Sequence, residues 1–148
     1  MNQYKWHCKS FQNLTVEELY AIMQLRSEVF VVEQNCPYLD PDGKDQQSWH
    51  LMGWDQDKLV AYSRLLPAGL AFEEISIGRV VSSPAYRGKG AGKELMKNAI
   101  ETAYQLFGQQ PIRIGAQQYL QKFYESLGFG QVSDMYLEDN IPHIEMVK

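Results

Sequence analysis

The chain has 148 residues, 45% of them hydrophobic, and a formal charge of -4; this size and make-up suit a single globular domain, 1–148, with a substantial core. Its apolar runs are short and broken by charge, and the opening MNQYKWHCKS has no apolar stretch of about 7–15 residues such as a signal peptide needs, so a soluble, cytoplasmic protein with no membrane partner is expected. The acidic balance removes a general electrostatic reason to bind nucleic acid, Cys8 and Cys36 are too few and too far apart for a disulfide scaffold or a zinc knuckle, and His7, His50 and His143 do not cluster, so no metal is expected.

QYKWHCKSF alternates as a first strand. LTVEELYAIMQLRSEVFVVEQ then shifts to a helical period. Thr15 and Glu18 make a capping box, Leu19, Ile22, Met23 and Leu25 give the apolar positions, and a β-branched run is expected to end the helix near Val31. NCPYLDPDGKDQQS, rich in Pro, Asp and Gly, is a long loop and a candidate substrate wall. WHLMGW, the turn DQDK and LVAYSRLL read as strand, turn, strand, and EEISIGRVVS as the third strand of the meander. Leu95, Met96, Ala99, Ile100, Ala103 and Phe107 predict one helix over 91–107 packed on the sheet. PIRIGA is a short strand, QQYLQKFYESLG a helix closed by Gly128, and FGQVSDMYLED with IPHIEMVK a closing hairpin. This order predicts an α/β (α+β) sandwich with a mixed, mostly antiparallel sheet of about six or seven strands flanked by helices.

One stretch, YRGKGAGKELM, places three glycines and three basic residues where a turn enters a helix. A P-loop is excluded, because Arg87 stands where its first glycine belongs and Glu94 follows Lys93. A dinucleotide fingerprint is excluded too, since Gly88, Gly90 and Gly92 alternate and no acidic ribose ligand follows at the expected distance. What survives is a loop of small residues at a helix amino terminus, where free N–H groups and the dipole favour phosphate and missing side chains admit it closely. Solvated lysines on a helix start are the plainer alternative.

Arg87-Gly88-Lys89-Gly90-Ala91-Gly92 resembles the R/Q-x-x-G-x-G/A signature of the GNAT N-acetyltransferases, and QQYLQKFYESLGF resembles that family's helix leading into F-Y-x-x-L-G-F. The likeness covers essentially the whole chain, and LRSEVFVVEQNCPYLDPDG, GRVVSS and NIPHIEM are similar in wording to small bacterial proteins of the ElaA type. The resemblance implies the GNAT acyl-CoA N-acyltransferase fold, acetyl-CoA as co-substrate and a small-molecule or peptide amine as acceptor. It implies that backbone amides of Arg87, Gly88, Lys89, Gly90, Ala91 and Gly92 hold the pyrophosphate, and that Val80, Val81 and Ser82 pair with the pantetheine arm. It also implies a strand bulge that aims an amide at the thioester carbonyl. Gln117 stands where many relatives have a CoA-contacting Asn. Tyr124 matches the frequent general acid of the family, a phenol that protonates the departing thiolate; its alternative is one more core aromatic beside Phe123.

The proton of the amine must also go somewhere. Glu33, at the mouth of the long loop, is the first candidate base, with His50 and Glu74 behind it; an ordinary surface carboxylate and a structural histidine are the plainer readings. His143, after Pro142 in the closing hairpin, is placed to line the site from the other side. Asp40, Asp42 and Asp45, with Glu33, suit a cationic amine, and a solvated turn is the simpler account. Three other functions stay open: a non-catalytic acyl-CoA-binding sensor, an acyl-homoserine-lactone-synthase-like acyltransferase, which LRSEVFVVEQ resembles, and a purely structural protein whose Arg/Lys group is an interaction patch. The closing strands leave a homodimer open.

Overall fold

Alternation of apolar and polar residues builds the first sheet from a meander. The computed structural model describes residues 4–148, so Gln3, where the expected first strand opens, lies outside the described residues. Strand β1 (Lys5–Ser10) pairs antiparallel with β2 (Trp49–Asp55), β2 with β3 (Lys58–Leu66) and β3 with β4 (Ser76–Ser82). The centre strand β3 is buried from Leu59 through Leu66, as a strand covered on both faces must be.

Helix α1 (Val16–Arg26) starts at the expected capping box: the Glu18 N–H donates to Thr15 Oγ1 at 3.1 Å and the Thr15 N–H to Glu18 Oε1 at 2.8 Å. Its α turns stop at Arg26, while the helical path runs on to Glu33, close to the expected end near Val31. The chain widens into a π-helix over Ser27–Glu33, with the Gln34 N–H bonded to the Val29 carbonyl and that of Cys36 to Val31, five residues back. The β-branched Val29, Val31 and Val32 crowd a 3.6-residue turn, and the looser turn accommodates them while Val29 stays in the core.

Helix α2 (Ala91–Phe107) buries Leu95, Met96, Ala99 and Ala103 against one face of the sheet, as their spacing predicts. The second half of the chain forms β5 (Arg113–Gln117), α3 (Gln121–Ser126), β6 (Gly130–Gln131), β7 (Tyr136–Glu138) and β8 (Ile141–Val147). A 3-10 turn, Gln118–Leu120, takes up the first part of the expected helix, and Gly128 at φ +98° closes it. Asp139 and Asn140, both at positive φ, make the tight β7–β8 turn.

The fold is the α/β sandwich read from the sequence, with its sheet divided in two. β1-β2-β3-β4 form one antiparallel sheet; β5, β6, β7 and β8 form the other, with β8 at its centre. A parallel bridge, Ile75 to Ile112, joins the halves, and the Arg113 N–H donates to the Ile75 carbonyl at 3.0 Å. Ile77, Leu65, Ile114, Ile144 and Met146 pack with α2 on one face, while Ile22, Leu25 and Val29 cover Met52, Tyr62 and Val81 on the other. The α2-side core draws on β3 and β4 and on β5 and β8, so close packing across both halves holds the divergence beyond the bridge.

Candidate active site

Past the Ile75–Ile112 bridge, β4 and β5 share no ladder, and a cleft of about 740 Å³ opens between them. One wall is β4 itself. Tyr62 faces Val81 and Arg64 faces Gly78, so β4 carries one residue more than β3 between those pairs and bulges at Arg79 and Val80. Arg79 sits at φ +49°, a left-handed conformation that is unfavourable for a side chain other than glycine. The bulge falls where a strand edge faces the cleft, and Val80, Val81 and Ser82 line that cleft beyond it.

At the head of the cleft the chain turns through Pro84–Tyr86 and the glycine-rich loop into α2. Gly88 and Gly90 have φ of +78° and +80°, which explains glycine at both. Gly92 has neither a positive φ nor a neighbour within 4 Å of where a Cβ would stand, and glycine in a first helical turn costs stability. Its absent side chain leaves open space outside the α2 amino terminus, where the N–H groups of the first turn lack helical partners. Arg87 lines the cleft, and Lys89 Nζ lies 5.4 Å from the Tyr86 ring centroid. These residues suit a diphosphate by their donor set: unpaired backbone N–H groups, nearby cations and no bulk in the way.

Tyr124, on α3, reaches the cleft with 5% of its surface exposed. Its ring stands edge-on to Phe123 and Phe129, so it is both a core aromatic and a cleft residue. Burial pushes its phenol pKa up, with a smaller contribution from Tyr119. It is therefore a protonated donor at neutral pH. Gln117, at the end of β5, also lines the cleft, with its amide 3.5 Å from that of Gln34.

Three sequence expectations change here. His50 does not reach the cleft: its side chain is 0% exposed, Nδ1 lies 2.7 Å from the Tyr62 hydroxyl and Nε2 2.9 Å from the Asp45 carbonyl. Burial lowers its pKa, partly offset by Asp45, and both ring nitrogens are engaged, so it is a structural histidine and not a base. Glu33 does line the cleft, but both its oxygens accept from Arg87 at 2.7 Å. The hydrogen bonds from that guanidinium hold its carboxyl below the usual range, which makes it a poor acceptor for an ammonium proton. Glu74, the candidate base ranked after Glu33, is not among the residues lining the cleft: Arg113 donates to its two oxygens at 3.0 and 3.1 Å, beside the Ile75–Ile112 bridge.

The aspartates of the long loop are neither a solvated turn nor a free cation site. Arg26 Nε donates to Asp40 at 2.6 Å and its Nη1 to Asp45 at 2.7 Å; Arg64 reaches Asp42 and Asp45 at 2.8 and 2.9 Å; Arg79 reaches Asp40 and Asp42 at 2.8 and 3.3 Å. Three arginines thus neutralise three aspartates, and Arg26 is 0% exposed. Burial alone would raise the pKa of Asp42, but hydrogen bonds from Arg64 outweigh it and hold it well below the carboxylate range; Asp45 is lowered in the same way by Arg26 and Arg64. The network ties the loop to α1, β3 and the β4 bulge at once. Arg79 was missed in the sequence, although an arginine inside SIGRVVS, where neighbours are apolar, is the signal that marks it.

A sequence profile described as acetyltransferase (GNAT) domain matches residues 20–148. The chain belongs to the GNAT acetyltransferase family. Protein ElaA of Escherichia coli K12 is 46% identical over 146 residues, covering 97% of this chain and 95% of that one. The crystal structure of E. coli ElaA superposes with a TM-score of 0.92, covering 98% of this chain and 99% of that one at 45% identity. An acyl-CoA N-acyltransferase from Pseudomonas aeruginosa does so at 0.94 with 48% identity, covering 98% and 99%. This GNAT member is thus ElaA-like, and its family chemistry is acyl transfer from coenzyme A. A CoA-dependent acyl-homoserine lactone synthase superposes at 0.80 with 16% identity, covering 97% and 82%; that likeness is one of fold alone. Among the described residues no helix is long and apolar enough to cross a membrane.

Proposed function

We propose that this GNAT protein transfers the acetyl group of acetyl-CoA to a primary amine, of a small molecule or peptide in the cytoplasm, by direct attack and without a metal. The observation that carries the reading is the edge of β4. Beyond the bridge its outer backbone groups at 80–82 have no strand partner among the described residues and face a cleft that also holds Tyr124. An extended amide-bearing chain such as pantetheine can pair there as a strand pairs with a sheet edge.

The remaining roles follow from placement. The α2 amino terminus and the loop from Arg87 through Gly92 receive the pyrophosphate, with charge from Arg87 and Lys89, while Gln117 closes on the pantetheine from β5. An amide of the unpaired Arg79–Val80 step receives negative charge on the thioester oxygen as the tetrahedral adduct forms. Tyr124, kept protonated by its burial, gives its proton to the departing sulfur. With a leaving thiol of pKa about 8.5, the transfer is uphill for a raised phenol until charge develops on sulfur, so Tyr124 acts late.

Calorimetry with acetyl-CoA, then thiol release with a panel of amines on wild type and Tyr124→Phe, tests the reading. Turnover cut about 10-fold or more by Tyr124→Phe at unchanged cofactor affinity is expected. Binding without turnover of any amine points to a sensor instead, and absence of binding removes the reading of the loop.

A further inference from the structure

Resting on the proposed transferase reading, we infer that the β7–β8 hairpin is the acceptor-amine subsite: Glu138 and His143 receive a primary ammonium carried on an apolar stem, and His143 Nε2 takes its proton. The strand pattern puts them there. β8 sends Ile144 and Met146 into the core with α2, so His143, between them and Ile141, points to the opposite face, where the loop Cys36–Asp42 forms the other wall. Cys36 Sγ reaches the Asp139 carbonyl at 3.5 Å and ties that wall to the hairpin turn.

His143 is 7% exposed and lines the cleft. Its Nδ1 lies 2.7 Å from the Ile141 carbonyl oxygen. A carbonyl only accepts, so Nδ1 carries the proton and the lone pair of the neutral ring is on Nε2. Nε2 stands 3.6 Å from Glu138 Oε2. With the ring neutral both atoms are acceptors, and a primary ammonium, which brings three N–H bonds, can donate to each. The Tyr136 ring stacks on the imidazole at 5.9 Å and fixes its plane.

The charges around the cleft agree. Glu33 is matched by Arg87, and Asp42 by Arg64 and Arg79; Glu145, next on this face of β8, is matched by Arg113. Gln117, the β5 partner of His143, is neutral. Among the described residues, Glu138 and Asp139 are the cleft carboxylates with no arginine or lysine in ion-pair reach, so the uncompensated charge there is negative. Tyr38 and Leu39, the latter 79% exposed, offer an apolar rest for the stem.

The proton balance closes. The ammonium gives one proton to His143 Nε2 and becomes the nucleophile; its nitrogen bonds to the acetyl carbon as the carbon–sulfur bond breaks. Tyr124 gives its proton to the sulfur and takes back the second nitrogen proton, and His143 returns the first to water. At pH 7 an alkylamine of pKa about 10.4 is neutral in only about one molecule in a few thousand, which is the deficit the imidazole removes.

The test uses the full-length protein with hexylamine, phenethylamine and cadaverine as probes, after calorimetry with acetyl-CoA. We expect His143→Gln to lower kcat about 100-fold at unchanged acetyl-CoA affinity, and the exposed Glu138→Gln to act mainly on KM for the amine, about 10-fold. The pH profiles of kcat/KM should differ in shape, with His143→Gln following the ionisation of the amine itself and wild type not. Nitrogen NMR of labelled wild-type histidines should show that the neutral form of His143 carries its proton on Nδ1. Wild-type turnover matched within about 3-fold by His143→Gln, with the same pH profile, overturns the inference and leaves the transferase reading intact. If wild type binds acetyl-CoA but acetylates none of the three probes, the acceptor class is wrong, and the wider amine panel decides whether the transferase reading falls with it.

Discussion

At Arg79 the usual order of glycine and alanine in a strand should invert. The residue bulges out of β4 at φ +49°, held by ion pairs to Asp40 and Asp42, and its side chain is 21% exposed. Arg79→Ala and Arg79→Gly both lose those pairs, so that loss cancels between them. What differs is the backbone. Alanine keeps a Cβ in the left-handed region, at about 1–2 kcal/mol, whereas glycine is free of that strain but loses about 0.5–1 kcal/mol of chain entropy. The glycine variant should therefore be more stable than the alanine variant by roughly 0.5–1 kcal/mol, where at an ordinary strand position it would be less stable by a similar amount. Guanidinium unfolding of both, with equal m-values, measures the difference. An alanine variant as stable as the glycine variant, or more so, would mean that the bulge relaxes without the arginine, and the strain reasoning would be wrong. Turnover should follow the same order, because the bulge fixes the amide assigned to the thioester oxygen.

Gly92→Ala should raise stability by up to about 1 kcal/mol while weakening acetyl-CoA binding about 10-fold or more, since the space beside Gly92 is open and is the one the proposed cofactor site needs; unchanged affinity by calorimetry refutes the cradle. Arg26→Met should cost about 3–5 kcal/mol in denaturant unfolding, because it removes the buried guanidinium that bonds Asp40 and Asp45 and leaves only Arg64 and Arg79 to balance three carboxylates. Asp42 and Asp45 are held below their unfolded values, so their stabilisation is present above about pH 4 and is lost as pH falls further; thermal melts should be level from pH 7 to about 5 and drop toward pH 3.

What the sequence disclosed depended on range. The capping box at Thr15 and Glu18 lies within four residues and appears where its pattern says. The α2 stripe from Leu95 to Ala103 is equally local, and so is the glycine loop at its head. The aspartates of the long loop behave differently: their partners Arg26, Arg64 and Arg79 lie 14 to 39 residues away, so composition alone read a solvated turn. His50 has the chemistry of a base and the address of a core residue, and only its two engaged ring nitrogens tell these apart. The division of the sheet was invisible for a related reason: strand pattern shows which residues pair, not where a ladder stops. That β4 and β5 meet at one bridge is set by how the two cores pack, between residues on separate halves of the chain.

The Glu33–Arg87 pair gives the proposed cofactor seat an occupant of its own. If Arg87 serves the phosphates, every arriving coenzyme must first displace a carboxylate tethered beside it, and every departing one finds that carboxylate waiting to return. An exposed pair of this kind is worth about 0–1 kcal/mol, up to roughly a fivefold effect. Glu33 then loosens retention of both substrate and spent thiol, which shortens the residence of a product inhibitor, and rising ionic strength acts on the pair and on the phosphate contact together.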